Sequence, residues 1–376
     1  MIADDTFERA KLAFFAGLAR QQAGDDAAAE RHYRESLQLL PGRASTLINL
    51  AAVQLRLARP IDALASADAA LAAEPDSSDA LLHRATALAR LGDPEDALLA
   101  FRRLLAIEPH HAAGWSGAGT VLRELGRLDE AAHAFREALR HGAERDLHDY
   151  YLASVQGAGA PPTAPAGYVE ALFDGYADEF DRHLVDELGY QAHRRLVEGL
   201  AALGDARFAA TLDLGCGTGL CGPLVRPRSE RLTGVDLSAR MLAQARRLGV
   251  YDRLEQADIV AFLERSDERF DLVLAADVFI YVGDLRPVFR AVQRAMRHGL
   301  FCFTVETLAD DDPAEQRLLP SLRYAHAPAA LGRLADAHGF DVAATVRAPV
   351  REEQRAAVDG LYVYLRRRAA KAGELA

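Results

Sequence analysis

The sequence predicts a multidomain α + α/β protein, with an N-terminal helical solenoid followed by an α/β/α sandwich. Three observations support this prediction. Prolines at 41, 75 and 109 mark a repeat that recurs every 34 residues in the first part of the chain. From about residue 192 onward, short apolar runs alternate with amphipathic helical runs. One apolar run ends in an acid and a glycine-rich loop, Asp-Leu-Gly-Cys-Gly-Thr-Gly, at residues 213–219.

The repeat is visible in several columns of residues that share the 34-residue spacing. Small residues recur in one column and larger ones in another, as expected where two helices pack closely. A helix pair of this length is typical of tetratricopeptide repeats, which residues 1–150 resemble, with four units at 10–43, 44–77, 78–111 and 112–145. The columns are Pro41, Pro75 and Pro109; Ala29, Ala63, Ala97 and Ala131; Tyr33, Ala67, Phe101 and Phe135; Ala13, Leu47, Leu81 and Trp115; and Gly17, Ala51, Ala85 and Gly119.

A stacked solenoid presents a groove, which favours a protein or peptide partner for the repeats. The alternative is that the repeats act as a spacer or as a dimerisation surface. Some repeats of this kind bind an acidic C-terminal carboxylate through a basic and asparagine clamp. Of the residues at the matching positions only Asn49 fits, and Asp79 has the wrong charge, so that specificity is not expected.

Strand and helix patterns divide the rest of the chain. A Gly/Pro/Ala-rich stretch predicts a linker at 151–167, and residues 168–376 form the second domain. Because the strands alternate with helices, we expect a mostly parallel sheet covered on both faces, with ligands bound beyond the carboxyl ends of the strands. The predicted strands are 209–214, 231–236, 253–258, 270–275, 299–305, 340–347 and 361–366, with helices at 239–248 and 285–296.

Acidic residues lie at the ends of the first four predicted strands. Asp213 precedes the glycine loop, and Asp236 lies about 20 residues beyond it, where an acid can accept hydrogen bonds from ribose hydroxyls. Asp258 and Asp277 end the third and fourth strand regions. An acid followed by Gly-x-Gly-x-Gly resembles the cofactor loop of class I S-adenosylmethionine-dependent methyltransferases, whose fold is Rossmann-like.

With the repeats and the segment Phe-Asp-Gly-Tyr-Ala-Asp-Glu-Phe-Asp at 173–181, nearly the whole chain resembles bacterial tetratricopeptide-repeat methyltransferases. The resemblance implies S-adenosyl-L-methionine as cofactor and an unidentified methyl acceptor. It implies that Asp258 holds the adenine amino group, that Ile259, Leu237 and Met241 contact the adenine ring, and that Tyr176 on a lid helix faces the ligand. The implied cofactor residues are Tyr176, Asp213, Gly215, Cys216, Gly217, Gly219, Asp236, Leu237, Met241, Asp258 and Ile259.

Simpler interpretations exist for some of these residues. Phe173, Tyr176 and Phe180 share one helix face and could equally be a core stripe. Asp213 could cap the loop that follows it. Gly217, Gly219 and Gly222 also satisfy the Gly-x-Gly-x-x-Gly pattern of an NAD-dependent dehydrogenase.

Charge decides against the dehydrogenase, because a carboxylate at the loop repels a pyrophosphate and attracts the cationic methyl donor. A repeat scaffold with a cofactor-binding but inactive methyltransferase-like domain is a further alternative.

Methyl transfer needs a base only when the acceptor must lose a proton. Asp277, Tyr281 and His326 are the candidate catalytic residues, and Glu306 is a further possible base. The alternatives are that Asp277 only orders its loop and that His326 is structural. The sequence Asp-Val-Phe-Ile at 277–280 replaces the Asn/Asp-Pro-Pro-aromatic run of enzymes that methylate nucleic acid bases or glutamine, which disfavours such substrates.

Charge, cysteine content and apolar runs limit the partners, metal sites and location that the sequence predicts. The net charge of -11, from 44 basic and 55 acidic residues, disfavours nucleic acid as a partner. Cys216, Cys221 and Cys302 form no paired Cys-x-x-Cys motifs, so neither a disulfide framework nor a metal site is expected. No apolar run approaches the roughly 20 residues needed to cross a membrane, and the acidic N-terminus has no secretory pattern, so a cytoplasmic location is expected.

Overall fold

The computed structural model describes residues 2–176, 190–204, 207–353 and 356–369. The chain forms two compact units that divide between Gln156 and Gly157. This division falls inside the stretch 151–167 that was expected to be a linker. The last helix of the first unit continues to Gln156, and backbone hydrogen bonds attach residues 162 and 164 to the second unit.

The first unit is built from consecutive helices that pack on one another in pairs. Each predicted repeat contributes one pair, so the solenoid prediction is confirmed. A further helix follows the fourth repeat, and its Tyr151 ring packs 5.2 Å from that of Phe135. The helices are α1 Ile2–Gln22, α2 Asp26–Leu39, α3 Ala44–Arg56, α4 Pro60–Ala73, α5 Ser78–Leu91, α6 Pro94–Ile107, α7 Ala112–Glu124, α8 Leu128–Arg140 and α9 Arg145–Gln156.

Glycine and aromatic columns of the repeat meet inside the helix pairs. A Cβ added at Gly17 would lie 2.6 Å from the Tyr33 ring, and one at Gly119 would lie 2.6 Å from the Phe135 ring. Both rings are fully buried. The glycines are therefore required by the close approach of α1 to α2 and of α7 to α8.

Replacing Gly119 with Val should lower the free energy of unfolding of the first unit by about 1–3 kcal/mol, because the added atoms overpack the contact with Phe135. The same β-branched residue at exposed Ala113 of the same helix is the control, and it should cost no more than about 0.7 kcal/mol of helix propensity. Urea denaturation followed by circular dichroism measures both. Equal effects of the two changes would contradict the packing explanation.

The second unit contains a mixed sheet in the order β3-β2-β1-β4-β5-β11-β8. Strands β1 to β5 run parallel to one another, whereas β11 is antiparallel to both β5 and β8. The strands are β1 Phe208–Leu214, β2 Ser229–Asp236, β3 Arg253–Gln256, β4 Phe270–Ala275, β5 Met296–Thr307, β6 Gln316–Leu318, β7 Tyr324–His326, β8 Phe340–Arg347, β9 Arg351–Glu353, β10 Ala356–Val358 and β11 Gly360–Arg367.

Helices cover both faces of this sheet, which confirms the α/β/α sandwich. Alternate residues of β5 enter opposite cores: Phe301 and Phe303 pack with α15 and α16, whereas Leu300 and Cys302 pack with α11. The helices are α10 Ala166–Tyr176, α11 Ala192–Ala202, α12 Gly222–Val225, α13 Ala239–Arg247, α14 Ile259–Arg265, α15 Arg286–Ala295 and α16 Pro328–Ala337.

Besides shifts of one to three residues at the ends of β1, β2, β5 and β11, the structure departs from the predicted strands in three places. The third strand ends at Gln256 rather than 258, because Asp258 caps α14 instead. Short strands β6 and β7 extend the sheet beside β5, where a loop was expected. The hairpin of β9 and β10 was not predicted either. Within the described residues, no helix has the length and apolarity needed to span a bilayer.

Candidate functional site

A cavity of about 630 Å³ lies at the carboxyl ends of the central strands. The chain passes from β1 to β2 and β3 on one side and later places β4 and β5 on the other, so β1 and β4 are adjacent at the point where the strand order reverses. Open α/β sheets bind ligands at such a point. Strand-end loops and α10 form the cavity walls.

The glycine loop forms one wall. Gly215 and Gly217 have φ of +61° and +55°, which favour glycine. A Cβ at Gly215 would lie 2.5 Å from Val278, whereas one at Gly217 would meet no heavy atom within 4 Å. Cys216, which also lines the cavity, donates its backbone N–H to Val235 of β2 at 3.0 Å. The loop therefore presents open backbone at Gly217.

Gly219 does not line the cavity, contrary to its predicted role as a cofactor contact. Its φ of +94° requires glycine, and a Cβ there would lie 2.8 Å from Leu248 and 3.0 Å from Tyr251. Gly219 is needed for the turn and for close packing behind the loop.

Asp213 is buried at the end of β1 and lines the cavity. Burial raises its pKa to about 7, although the hydrogen bond that the Tyr251 hydroxyl donates at 2.7 Å acts in the opposite direction. The same burial raises the pKa of the Tyr251 phenol, which therefore stays protonated. Both ionisation states of Asp213 are accessible near neutral pH.

Asp236 joins the glycine loop to the turn after β2. One carboxylate oxygen accepts the backbone N–H of Gly217 at 2.8 Å, and the other accepts that of Ser238 at 2.8 Å. Burial raises the pKa of Asp236, whereas these backbone N–H groups lower it. Leu237 and Met241, from the turn and the start of α13, line the cavity beside it.

Asp258 begins α14 as its N-cap. Its Oδ1 accepts the N–H groups of Val260 at 3.0 Å and Ala261 at 2.9 Å. Asp258 and Ile259 both line the cavity. The predicted cofactor residues thus converge here, with Gly219 outside the lining.

Helix α10, the predicted lid helix, lines another side of the cavity. Phe173 lines the cavity, and its ring packs 5.6 Å from that of Tyr281. The Asp174 carboxylate accepts hydrogen bonds from the Ser238 hydroxyl and, at 3.4 Å, from the backbone N–H of Arg240. These bonds attach α10 to the turn that carries Leu237. The Tyr176 side chain and Phe180 lie outside the described residues, so the role of Tyr176 stays a prediction.

The chain segment before α10 forms backbone hydrogen bonds with the loop that carries Tyr281. Thr163 forms an antiparallel bridge with Val282, and Ala164 donates its N–H to the Tyr281 carbonyl at 2.9 Å. The Pro162 carbonyl accepts the N–H of Gly283 at 2.9 Å. The segment entering the second unit therefore forms part of the cavity mouth.

The β4 and β5 side of the cavity contains a buried ionic cluster. Asp277 has a φ of +59°, which a non-glycine residue rarely adopts, and its N–H donates to the Thr304 hydroxyl at 2.7 Å. Arg351 of β9 donates to both Asp277 oxygens at 3.1 Å. The other end of its guanidinium donates to Glu306. Burial raises the pKa of Glu306, and the positive charge of Arg351 acts against that shift. Sequence reasoning missed Arg351.

Tyr281 also lines this side, and its hydroxyl is hydrogen-bonded to the Arg323 guanidinium. Burial raises the pKa of Tyr281 to about 12, so the phenol is protonated at neutral pH and can donate a hydrogen bond. Tyr190 and His193 stack with ring centroids 5.2 Å apart and complete the wall. Neither was predicted, since no motif surrounds them.

His326 does not line the cavity, so the structure does not support its predicted catalytic role. It belongs to β7, which pairs with β5 at Thr307, and its side chain is buried with Nε2 3.3 Å from the Phe279 carbonyl. Burial lowers its pKa to about 4. The imidazole is a neutral core group.

The cysteines Cys216, Cys221 and Cys302 are buried and form no disulfide. Burial raises the pKa of Cys216 and Cys221, so their thiols are protonated and unsuited to nucleophilic attack. Among the described residues, no cluster of His, Cys, Asp or Glu side chains could hold a metal ion.

Comparisons with known proteins agree with this geometry. A family model described as "Methyltransferase domain" matches residues 211–299, and one described as "Tetratricopeptide repeat" matches residues 88–153. A malonyl-[acyl-carrier protein] O-methyltransferase of Enterobacter lignolyticus is 38% identical over 159 residues, which are 42% of this chain and 57% of that protein. A ubiquinone biosynthesis O-methyltransferase of Pseudomonas putida is 32% identical over 92 residues, 23% of this chain and 40% of that protein.

The chain thus spans about half the length of the curated relatives it matches. Among solved structures, the chain is similar to Burkholderia thailandensis 1,6-didemethyltoxoflavin-N1-methyltransferase, at 23% identity and a TM-score of 0.44. The alignment covers 56% of this chain and 94% of the methyltransferase chain. The matched residues 211–299 hold Asp213, Asp236, Asp258 and the glycine loop. The chain therefore carries a tetratricopeptide-repeat match in its first unit and a methyltransferase-domain match in its second.

Proposed function

We propose that the second unit binds S-adenosyl-L-methionine and transfers its methyl group to an acceptor held on the β4 and β5 side of the cavity. One observation carries the proposal. Carboxylates at the ends of β1, β2 and β3 surround the open backbone of Gly217 in a single cavity. These residues lie within 211–299, the part of the chain that matches the methyltransferase family model.

The residues present fit this cofactor. The methyl donor carries an ammonium and a sulfonium group, which carboxylates attract, whereas the pyrophosphate of a dinucleotide would lie beside Asp213 and Asp236. Each oxygen of Asp236 accepts one backbone N–H and keeps lone-pair capacity for a ribose hydroxyl. Gly217 leaves the ligand open space. Asp258 and Ile259 would hold the adenine, with Leu237 and Met241 on its ring.

When bound, the cofactor supplies a methyl group already activated by its positive sulfur. The protein then mainly aligns donor and acceptor, and such positioning contributes several kcal/mol in well-oriented reactions. Helix α10 borders the cavity through Phe173 and is attached to the turn after β2 through Asp174, so it would exclude water from the bound cofactor. Asp277 and Tyr281 would contact the acceptor, because both line the side away from the nucleoside residues.

Calorimetry with S-adenosylhomocysteine and with NAD tests the cofactor assignment. We expect binding of the first and none of the second, and selective binding of NAD would overturn the assignment. Transfer of a labelled methyl group from S-adenosylmethionine into a cell extract tests catalysis. Binding without transfer would favour an inactive, scaffold-like domain.

The affinity for S-adenosylhomocysteine should depend on pH through Asp213. In the folded protein the pKa of Asp213 is about 7, above its ordinary value of 3.8. Protonated Asp213 therefore stabilises the ligand-free fold fully below about pH 4, and this stabilisation is lost as pH rises through 7. The ammonium group of the ligand favours the ionised Asp213 carboxylate, so binding releases the proton. Affinity should therefore rise by about tenfold from pH 5.5 to 7, below the titration of the ligand's own amino group.

Calorimetry in buffers of different ionisation enthalpy counts the released protons. Asp213→Asn is the control, because it has no proton to release and its affinity should stay flat over the same range. A tenfold rise in that variant as well would assign the effect to another group.

We propose further that the repeats bind a protein or peptide and bring the acceptor to the second unit. The support is the tetratricopeptide match over residues 88–153 and the helix-pair architecture. Sizing the labelled product separates this role from that of a spacer. A labelled protein would support recruitment, whereas a labelled small molecule would favour a spacer.

A further inference from the structure

The two sides of the cavity differ in chemistry, and the β4 and β5 side indicates which acceptor it accommodates. The inference rests on the proposed function, since it concerns the acceptor of the same methyl transfer. On the β1 to β3 side the carboxylates serve the nucleoside and the amino acid part of the donor. On the other side, Asp277 faces the cavity beside Tyr281 and Arg323.

Asp277 is held firmly in place. Its left-handed backbone, at φ +59°, is unfavourable for an aspartate and persists only where surrounding contacts fix it. The Thr304 hydroxyl accepts its N–H, and Arg351 contacts both carboxylate oxygens at 3.1 Å. The Asp277 side chain keeps 15% of its surface exposed, whereas Arg351 and Glu306 behind it keep 2% and 6%. Asp277 is thus the most exposed member of the cluster and is its carboxylate at the cavity, which Arg351 also lines.

Within the part of the chain that the structure describes, the formal charges of this cluster balance. Arg351 is shared between Asp277 and Glu306. Arg323 is hydrogen-bonded to Tyr281, and its positive charge also acts on Glu306. Among the described residues of this side, two carboxylates therefore face two guanidinium groups. An acceptor with a negative charge would add an uncompensated charge beside Asp277, whereas a neutral acceptor preserves the balance.

We infer that the methyl acceptor is a neutral hydroxyl or amine N–H group that donates a hydrogen bond to Asp277, and not a free carboxylate or phosphate. In the step, a lone pair of the acceptor oxygen or nitrogen forms the bond to the methyl carbon. The carbon–sulfur bond breaks with its electron pair remaining on sulfur. The acceptor proton passes to the Asp277 carboxylate, so charge and atoms balance.

Alkali treatment of the labelled product tests the acceptor class. The full-length protein is incubated with methyl-labelled S-adenosylmethionine and cell extract, and the product is then heated in base. Methyl esters release volatile methanol, whereas methyl ethers and N-methyl groups survive. We expect the label to stay non-volatile. Release of labelled methanol would overturn the inference, and absence of transfer by the unaltered protein would overturn the proposed function with it.

Asp277→Asn tests the residue itself. The amide keeps the size of the side chain but cannot accept the proton, so transfer should fall by at least about 100-fold. The affinity for S-adenosylhomocysteine should change by less than about twofold, which also shows that the domain is folded. Asp310→Asn is the matched control, because Asp310 pairs with Arg347 at the surface outside the cavity and should leave transfer unchanged. Undiminished transfer by Asp277→Asn would contradict the proton-accepting role.

Discussion

Replacing Asp236 with Asn should weaken the binding of S-adenosylhomocysteine by about 100-fold. The carboxylate accepts the N–H of Gly217 with one oxygen and that of Ser238 with the other. An amide must direct its NH₂ group at one of these donors, and it also loses the charge that would bind the ribose. Losing a hydrogen bond to a charged group costs about 1.5–3 kcal/mol, and 2.7 kcal/mol corresponds to 100-fold.

Asp271→Asn provides a closely matched control. Asp271 also accepts two backbone N–H groups, from Ala209 at 2.8 Å and Ala210 at 2.9 Å, but at the opposite ends of the strands from the cavity. Both changes should lower the unfolding temperature, whereas only Asp236→Asn should lower the affinity measured by calorimetry. If Asp271→Asn weakened binding equally, loss of affinity would reflect general destabilisation and not the site.

Replacing Arg351 with Met should lower the free energy of unfolding of the second unit by about 3–5 kcal/mol. The change leaves Asp277 and Glu306 with no cation between them, and removing one partner of a buried ion pair costs this much. Methionine fills most of the volume, so the effect is electrostatic. Arg347→Met is the control, because Arg347 is 54% exposed in its pair with Asp310 and its replacement should cost at most about 1 kcal/mol. Denaturant unfolding measures the loss of stability in both variants.

The pH dependence identifies the cause. The pKa of Glu306 is raised by burial even with Arg351 present, and removing the guanidinium raises it further. A carboxyl with a raised folded-state pKa loses its contribution to stability as pH rises through that pKa. The deficit of Arg351→Met should therefore grow from pH 5 to pH 8. A deficit independent of pH would indicate a packing defect.

Much of the fold could be predicted because its signals are local. The 34-residue columns correspond to contacts inside helix pairs, such as Gly119 against Phe135. The strands carry apolar runs of the right length, and β4 and β8 have the predicted bounds. Asp213, Asp236 and Asp258 could be located because each lies within two residues of the carboxyl end of a strand, and parallel strands end at the same edge of the sheet.

The other side of the site depends on contacts between residues distant in sequence, which no single-sequence pattern reveals. Arg351 reaches Asp277 across 74 residues, through a hairpin with no motif. His326 was expected in a loop, but pairing of β7 with β5 buries it in the sheet. Gly219 matched the cofactor motif, yet its φ and its contact with Leu248 give it a packing role. Motif position alone did not distinguish ligand contact from loop geometry.

A crystal structure of the protein with S-adenosylhomocysteine would test the proposed site most directly. We expect the ribose hydroxyls to donate to the Asp236 carboxylate, the adenine to lie beside Asp258 and Ile259, and the sulfur to point toward Asp277. A nucleoside bound elsewhere, or Asp236 and Asp258 turned away from it, would contradict the proposed cofactor site.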